Sequence, residues 1–198
     1  MYPFFALISR MKYIDRWQLM RNSRPENLSD HSMDVAVIAH ALSVIANKRF
    51  GHSIDSEKAA LVGLYHDASE IITGDMPTPV KYYGDEIRDA YKNVENKAVE
   101  NLLSKIPEDL RDEFEGIFKK ESDEEDIYMR HLVKCADKMS AYIKCIEEEN
   151  EGNSEFRTAK TSTEKVLKDM EEKYPEVRVF VEEFLPAYGK TLDELLGR

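Results

Sequence analysis

The strongest constraint on this chain is a helical spacing of apolar residues. Between Asp30 and Lys48, the residues Val35, Ile38, Ala39, Leu42, Ile45 and Ala46 recur at intervals of three and four. That spacing puts them on one stripe of an α-helix, and such a stripe must be covered by other parts of the chain. Gly51 and His52 interrupt the pattern. Asp55 is placed to cap a second helix running through Leu61, Val62, Leu64, Tyr65, Ala68 and Ile72, with Gly74 closing it.

The same period governs most of the remainder. The opening MYPFFALISRMKYIDRW reads as the first helix. GDMPTPVK carries Pro77 and Pro79, which exclude regular helix there. A long polar helix is predicted from Asp85 to Lys105, and Pro107 fits the first turn of the next. Ser122 with Glu125 forms a capping-box pattern ahead of Leu132, Val133, Ala136, Met139, Ser140, Ile143 and Ile146. Asn153 is placed to start a helix to about Tyr174, Pro175 another, and Thr191 with Glu194 caps a short last one. With no strand-like alternation, repeat or linker, the expected architecture is all-α, one domain over residues 1–198.

Charge narrows the partners. A net charge of −11 repels a polyanion, which argues against binding DNA or RNA polymers but not against a mononucleotide, since one pocket can be governed by a few cations and a metal. No run of about 18 apolar residues is present, so no membrane span is expected. Arg10 and Lys12 follow the N-terminal apolar stretch instead of preceding it, which does not suit a secretory signal, and a cytoplasmic location is expected. Cys135 and Cys145 stand ten apart with no CxxC, so two reduced thiols are expected rather than a disulfide framework.

Function shows where polar residues fall on apolar faces. His31 is four before Val35, His66 is four after Val62 with Asp67 directly following, and Asp137 is four after Val133. One buried histidine is ordinarily a hydrogen-bonded core residue. An unpaired buried carboxylate costs several kcal/mol, so several segments aiming such groups inward need a compensating partner. Two imidazoles with two carboxylates suit one divalent ion such as Mn²⁺, Co²⁺, Fe²⁺ or Zn²⁺ and leave positions open for water and substrate. Glu70, four after His66 and three after Asp67, falls on the same side and is placed to manage a proton.

The extended strings around these residues carry a resemblance. NLSDHSMDVA holds His31, LYHDASEIITGD holds His66 and Asp67, and KCADKMSAY holds Asp137, the His…His-Asp…Asp order of the HD-domain superfamily. With YIDRWQLMR and YHDASEIITGDMPTPVKY, the chain closely resembles the bacterial HD-domain 5'-deoxynucleotidases (YfbR-like) from near residue 4 to about residue 190. The resemblance implies that His31, His66, Asp67 and Asp137 bind the metal and that His31 and Asp137 also meet the substrate. It implies that Glu70 is the catalytic carboxylate, that Arg16 orients the phosphate beside Trp17, and that Asp75, Met76, Pro77 and Thr78 form the substrate loop. Asp75 is there placed to discriminate the sugar. It further implies a homodimer acting on deoxyribonucleoside 5'-monophosphates with Co²⁺, Mn²⁺ or Cu²⁺.

Physical chemistry agrees with several of these roles. Arg16 offers a rigid fork of donors suited to phosphate, and Trp17 a flat apolar surface. Pro77 and Pro79 stiffen the loop that presents Asp75 and Thr78. Two other readings stay open: hydrolysis of a larger phosphate such as a nucleoside triphosphate or an alarmone, with Lys81, Arg21 and Arg24 as extra cations, or a non-catalytic metal-containing nucleotide sensor. His40, His52 and His131 are expected to be structural or surface residues.

Overall fold

The computed structural model describes residues 1–81, 83–119 and 123–197. Its helices in chain order are α1 Phe4–Ile8, α2 Leu28–Phe50, α3 Ser56–Tyr65, α4 Glu70–Thr73, α5 Thr78–Lys81, α6 Asp85–Leu103, α7 Glu108–Phe118, α8 Glu124–Asn150, α9 Arg157–Lys173, α10 Pro175–Glu183 and α11 Leu192–Leu195. Among the described residues β-pairing is confined to an isolated antiparallel bridge between Asp15 and Asn27. The expected all-α architecture is therefore the one observed.

α2 is the central element, and its ends are fixed by local chemistry. The Asn27 side chain accepts the N–H groups of Ser29 and Asp30, while Gly51 closes the helix at φ 77°, the left-handed conformation that glycine takes without a steric penalty. Its apolar stripe is buried as the spacing predicts. Val35, Ile38, Ala39, Leu42 and Ala46 pack with Met129, Leu132, Ala136 and Met139 of α8 and with Ala59 and Val62 of α3. Leu28, about two turns before that stripe, belongs instead to a second cluster with Phe4, Met11, Ala68, Leu102 and Leu103. α2 thus lies against both apolar clusters, with His31 on the stretch between them.

The close approach of α2 and α3 depends on Gly63. A Cβ at that position would lie 2.9 Å from the Ala36 Cα, a contact that backbone cannot relieve cheaply.

The structure differs from the sequence expectations in three places. The second helix does not run through to Ile72. It ends at Tyr65, and the bonds that follow tighten to i→i+3, with Ala68 N–H donating to Tyr65 O and Glu70 N–H to Asp67 O. A tightened turn keeps the apolar residues on nearly the same side, so periodicity reads straight through it. In GDMPTPVK, Thr78–Lys81 does form a helical turn, with Pro79 early enough in it to be tolerated. The N-terminal helix stops at Ile8 and passes through a 3-10 turn, Ser9–Tyr13, so Arg16 and Trp17 lie outside helix. Ser122 of the expected capping box lies outside the described residues. The N-cap of α8 is Asp123, whose side chain accepts the Glu125 N–H.

Candidate active site

Three segments converge on one buried cluster. His31, in the first turn of α2, is wholly buried, and its Nδ1 lies 3.0 Å from Ser140 Oγ on α8. His66, at the end of α3, donates Nδ1–H to the Gly63 carbonyl at 2.7 Å. Both contacts engage the δ nitrogen and turn the ε nitrogen inward, which is how ligating histidines are commonly oriented. The two rings stand 5.2 Å apart. Asp67 Oδ2 is 3.0 Å from His66 Nε2 and 3.6 Å from His31 Nε2, and Asp137 Oδ1 from α8 is 3.2 Å from His31 Nε2.

Both Nε2 atoms are buried, and their polar neighbours are these carboxylate oxygens. The ligand atoms of His31, His66 and Asp67 all lie within 4.8 Å of one another, so they surround a common point instead of pointing at each other. Such a donor set fits a divalent cation. Asp137 stands at the edge of this trio, its second oxygen accepting Lys138 Nζ at 2.9 Å.

The electrostatics follow from burying two carboxylates beside two imidazoles. Burial pushes the His66 pKa down, but the adjacent Asp67 and Asp137 carboxylates outweigh it and raise it to about 9. His31 moves the other way, lowered by burial and by the Arg16 guanidinium. Asp67 is held below its ordinary value despite burial by His66. Asp137 is held well below despite burial, through His31 and Lys138. The cluster thus holds two carboxylates around one imidazolium, and a dication bound there would displace the His66 proton and balance the two carboxylates.

Of the other residues singled out by the sequence, Glu70, Arg16 and Asp75 lie within electrostatic reach of it. Glu70, the first residue of α4, is buried, and burial with the Asp67 and Asp75 charges raises its pKa to about 9. Arg16 is nearly buried. It feels Glu26, Asp137, Asp67 and Asp75, whose attraction outweighs its desolvation and keeps it charged. Its guanidinium lies 5.6 Å from the Trp17 ring. Trp17 is the non-glycine residue with positive φ, 58°, among the described residues, and its indole lies 5.2 Å from Phe156. Burial raises the Asp75 pKa against the pull of Arg16. Met76 and Pro77 are half-buried in the loop, and Thr78 is exposed at the start of α5.

A family model described as 5'-deoxynucleotidase YfbR-like matches residues 3–188. The chain belongs to the YfbR-like 5'-deoxynucleotidase family. It is 47% identical over 194 residues to 5'-deoxynucleotidase YfbR of Escherichia coli, a match covering 97% of this chain and 94% of that one. An HD-domain phosphohydrolase from Listeria innocua matches with a TM-score of 0.78 and 24% identity, over 93% of this chain and 87% of that one. A conserved hypothetical protein from Pyrococcus furiosus matches with a TM-score of 0.62 and 28% identity, over 88% and 98% of the two chains. The helical fold of this YfbR-like protein is accordingly that of HD-domain phosphohydrolases.

The additional cations behave differently from this cluster. Lys81 pairs with Glu95 at 3.0 Å and lies 5.0 Å from the Tyr91 ring. Arg21 is exposed near Glu155. The Arg24 backbone is engaged by Glu148 and Lys144 on α8. His52 stacks on Tyr128 and His131 lies against Tyr174, both away from the cluster, and His40 is exposed. In this YfbR-like chain Glu26, five residues before His31, carries no periodic or motif signal, yet it accepts hydrogen bonds from Arg16 and Trp17.

Proposed function

We propose that this chain removes the 5'-phosphate from deoxyribonucleoside 5'-monophosphates, with one divalent ion held by His31, His66, Asp67 and Asp137. The observation that carries this reading is the pair of buried Nε2 atoms gathered with the Asp67 and Asp137 carboxylates around one point, with Arg16 and Glu70 nearby. The 47% identity to the Escherichia coli 5'-deoxynucleotidase supports the substrate class.

A bound divalent ion supplies Lewis-acid activation of water and neutralises phosphate charge. The chain's own groups do the rest. Arg16, charged and nearly desolvated, clamps phosphoryl oxygens where a charge-assisted hydrogen bond is strongest. Burial and the Asp67 and Asp75 charges favour the protonated form of Glu70, which suits it to deliver a proton to the leaving 5'-oxygen. Trp17 offers a flat surface to the nucleoside, and Asp75 faces the sugar from a loop stiffened by Pro77. Met76 and Thr78 complete that loop, and His31 and Asp137 meet the phosphate from the metal side.

Co²⁺, Mn²⁺ or Cu²⁺ is the proposed ion, the proposed working form is a cytoplasmic homodimer, and the proposed unit is one HD domain over residues 1–198. A monophosphate is favoured over a triphosphate or alarmone by the 47% identity to a 5'-deoxynucleotidase, while of the extra cations Lys81 pairs with Glu95 and Arg21 is exposed beside Glu155. The presence of Glu70 and Arg16 beside the four proposed ligands favours an enzyme over a nucleotide sensor.

Phosphate release from dAMP and AMP, with chelator-stripped protein and added Co²⁺ or Mn²⁺, tests the reading. Metal-dependent release, faster with dAMP and lost in Asp67→Ala, is expected, and Asp75→Ala should narrow the dAMP/AMP ratio of kcat/KM. Absence of release from either nucleotide in metal-loaded protein rules the monophosphatase reading out. An unchanged ratio in Asp75→Ala rules out its role at the sugar.

A further inference from the structure

We infer that Glu26 is a positioning residue that holds Arg16 and Trp17 in the geometry needed to receive a phosphate monoester. The inference rests on the reading of Arg16 as the phosphate clamp.

A single oxygen of Glu26 serves both neighbours. Arg16 Nη1 donates to Glu26 Oε2 at 2.7 Å, and Trp17 Nε1 donates to the same atom at 2.8 Å. The Arg16 and Glu26 side chains are only 13% and 11% exposed, so the pair is only weakly screened by solvent. The backbone repeats the connection. Arg16 N–H donates to Glu26 O at 2.8 Å, Leu28 N–H donates to Ile14 O at 2.9 Å, and Asp15 pairs with Asn27. Asn27 is the cap of α2, whose first turn carries His31. Glu26 therefore ties the phosphate-side cation to the same helix end that supplies a metal ligand.

Two features make this tether necessary. Arg16 is also attracted by Asp137, Asp67 and Asp75. Without a counterweight its flexible side chain would swing onto those carboxylates, pairing with the groups assigned to the cation. Trp17 holds a left-handed backbone, φ 58°, which a bulky residue keeps only when its surroundings fix it. The Glu26 bond to the indole, the Asn22 Nδ2 bond to Trp17 O at 3.3 Å and the Phe156 ring do so.

The sign of one effect separates positioning from plain electrostatics. Removing a negative charge near the site should by itself strengthen phosphate binding. A positioning role predicts weaker binding. Inorganic phosphate is titrated into Mn²⁺-loaded protein and followed by the emission of Trp17, the chain's sole tryptophan. The set comprises wild type, Glu26→Gln, Glu26→Ala, Arg16→Ala and the Arg16→Ala/Glu26→Ala double variant, alongside kcat and KM for dAMP.

Glu26→Ala should weaken phosphate binding, red-shift the Trp17 emission and lower kcat/KM by about 100-fold. Glu26→Gln, which keeps an acceptor oxygen, should recover part of each loss. In the Arg16→Ala background Glu26→Ala should add little, because its effect runs through Arg16. Phosphate binding that is unchanged or tighter in Glu26→Ala, or losses that simply add in the double variant, overturns the inference. If wild type binds phosphate but hydrolyses no deoxynucleotide, the proposed function fails, and the binding cycle still decides the role of Glu26.

Discussion

The carbonyl of Gly63 accepts the Nδ1–H of His66 at 2.7 Å, and the same glycine lies against the Ala36 backbone of α2. One residue thus sets both the orientation of a candidate ligand and the separation of the two helices that bring His31 and His66 together.

Replacing Gly63 by alanine should therefore damage the site through packing. The added methyl meets the Ala36 Cα at 2.9 Å, so α3 must shift away from α2. An expected loss of about 1–3 kcal/mol in urea unfolding of the metal-free protein should accompany weaker Mn²⁺ binding. Wild-type stability together with wild-type Mn²⁺ affinity would refute this account of the α2–α3 contact.

Glu70 gives the activity a pH signature. Its pKa is raised to about 9 by burial, with Asp67 and Asp75 adding to it, so the proton proposed for the leaving group is present below that value and lost above it. The kcat for dAMP should fall as pH rises through about 9. Glu70→Gln should lose that limb and slow the reaction by roughly 10²–10⁴-fold. Persistence of the same limb in the variant would assign it to another group.

Glu148 gives the fold a pH signature of its own. This buried carboxylate accepts the Ser23 N–H at 2.8 Å and Asn153 Nδ2 at 2.6 Å, and it pairs with Lys144. Burial raises its pKa, but the Lys144 and Ser23 hydrogen bonds outweigh that and lower it from 4.5 to about 2. A depressed folded-state pKa contributes stability that is present above 4.5 and is lost as pH falls toward 2. Glu148→Gln should cost about 2 kcal/mol at neutral pH, since Gln keeps one acceptor but not the charge. The difference from wild type should shrink as pH drops from 4.5 toward 2 in chemical denaturation. A difference that stays constant over that range would contradict it.

The all-α class, the longer helices and the identity of the inward polar residues are legible in the amino-acid order alone. Apolar spacing marks the α2 stripe because a buried helix face must repeat every three or four residues, and that rule is local. The capping box at Thr191 and Glu194 was legible for the same reason, its partners being three residues apart. His31, His66, Asp67 and Asp137 stood out because ionisable groups on an apolar stripe are costly wherever the stripe goes.

How those residues meet is set by packing between elements. The tightened turn after Tyr65 swings His66 and Asp67 toward α2, yet it leaves the apolar pattern intact, so periodicity could not reveal it. Ser140 stands 109 residues from the histidine it touches. Glu26 is joined to Arg16 and Trp17 by bonds that lie beside the Asp15–Asn27 bridge. Such contacts depend on the path of the chain between their partners. A period or a motif fixes a residue's neighbours along its own helix, whereas a site assembled from α2, the end of α3, α8 and an irregular loop is fixed by packing between elements.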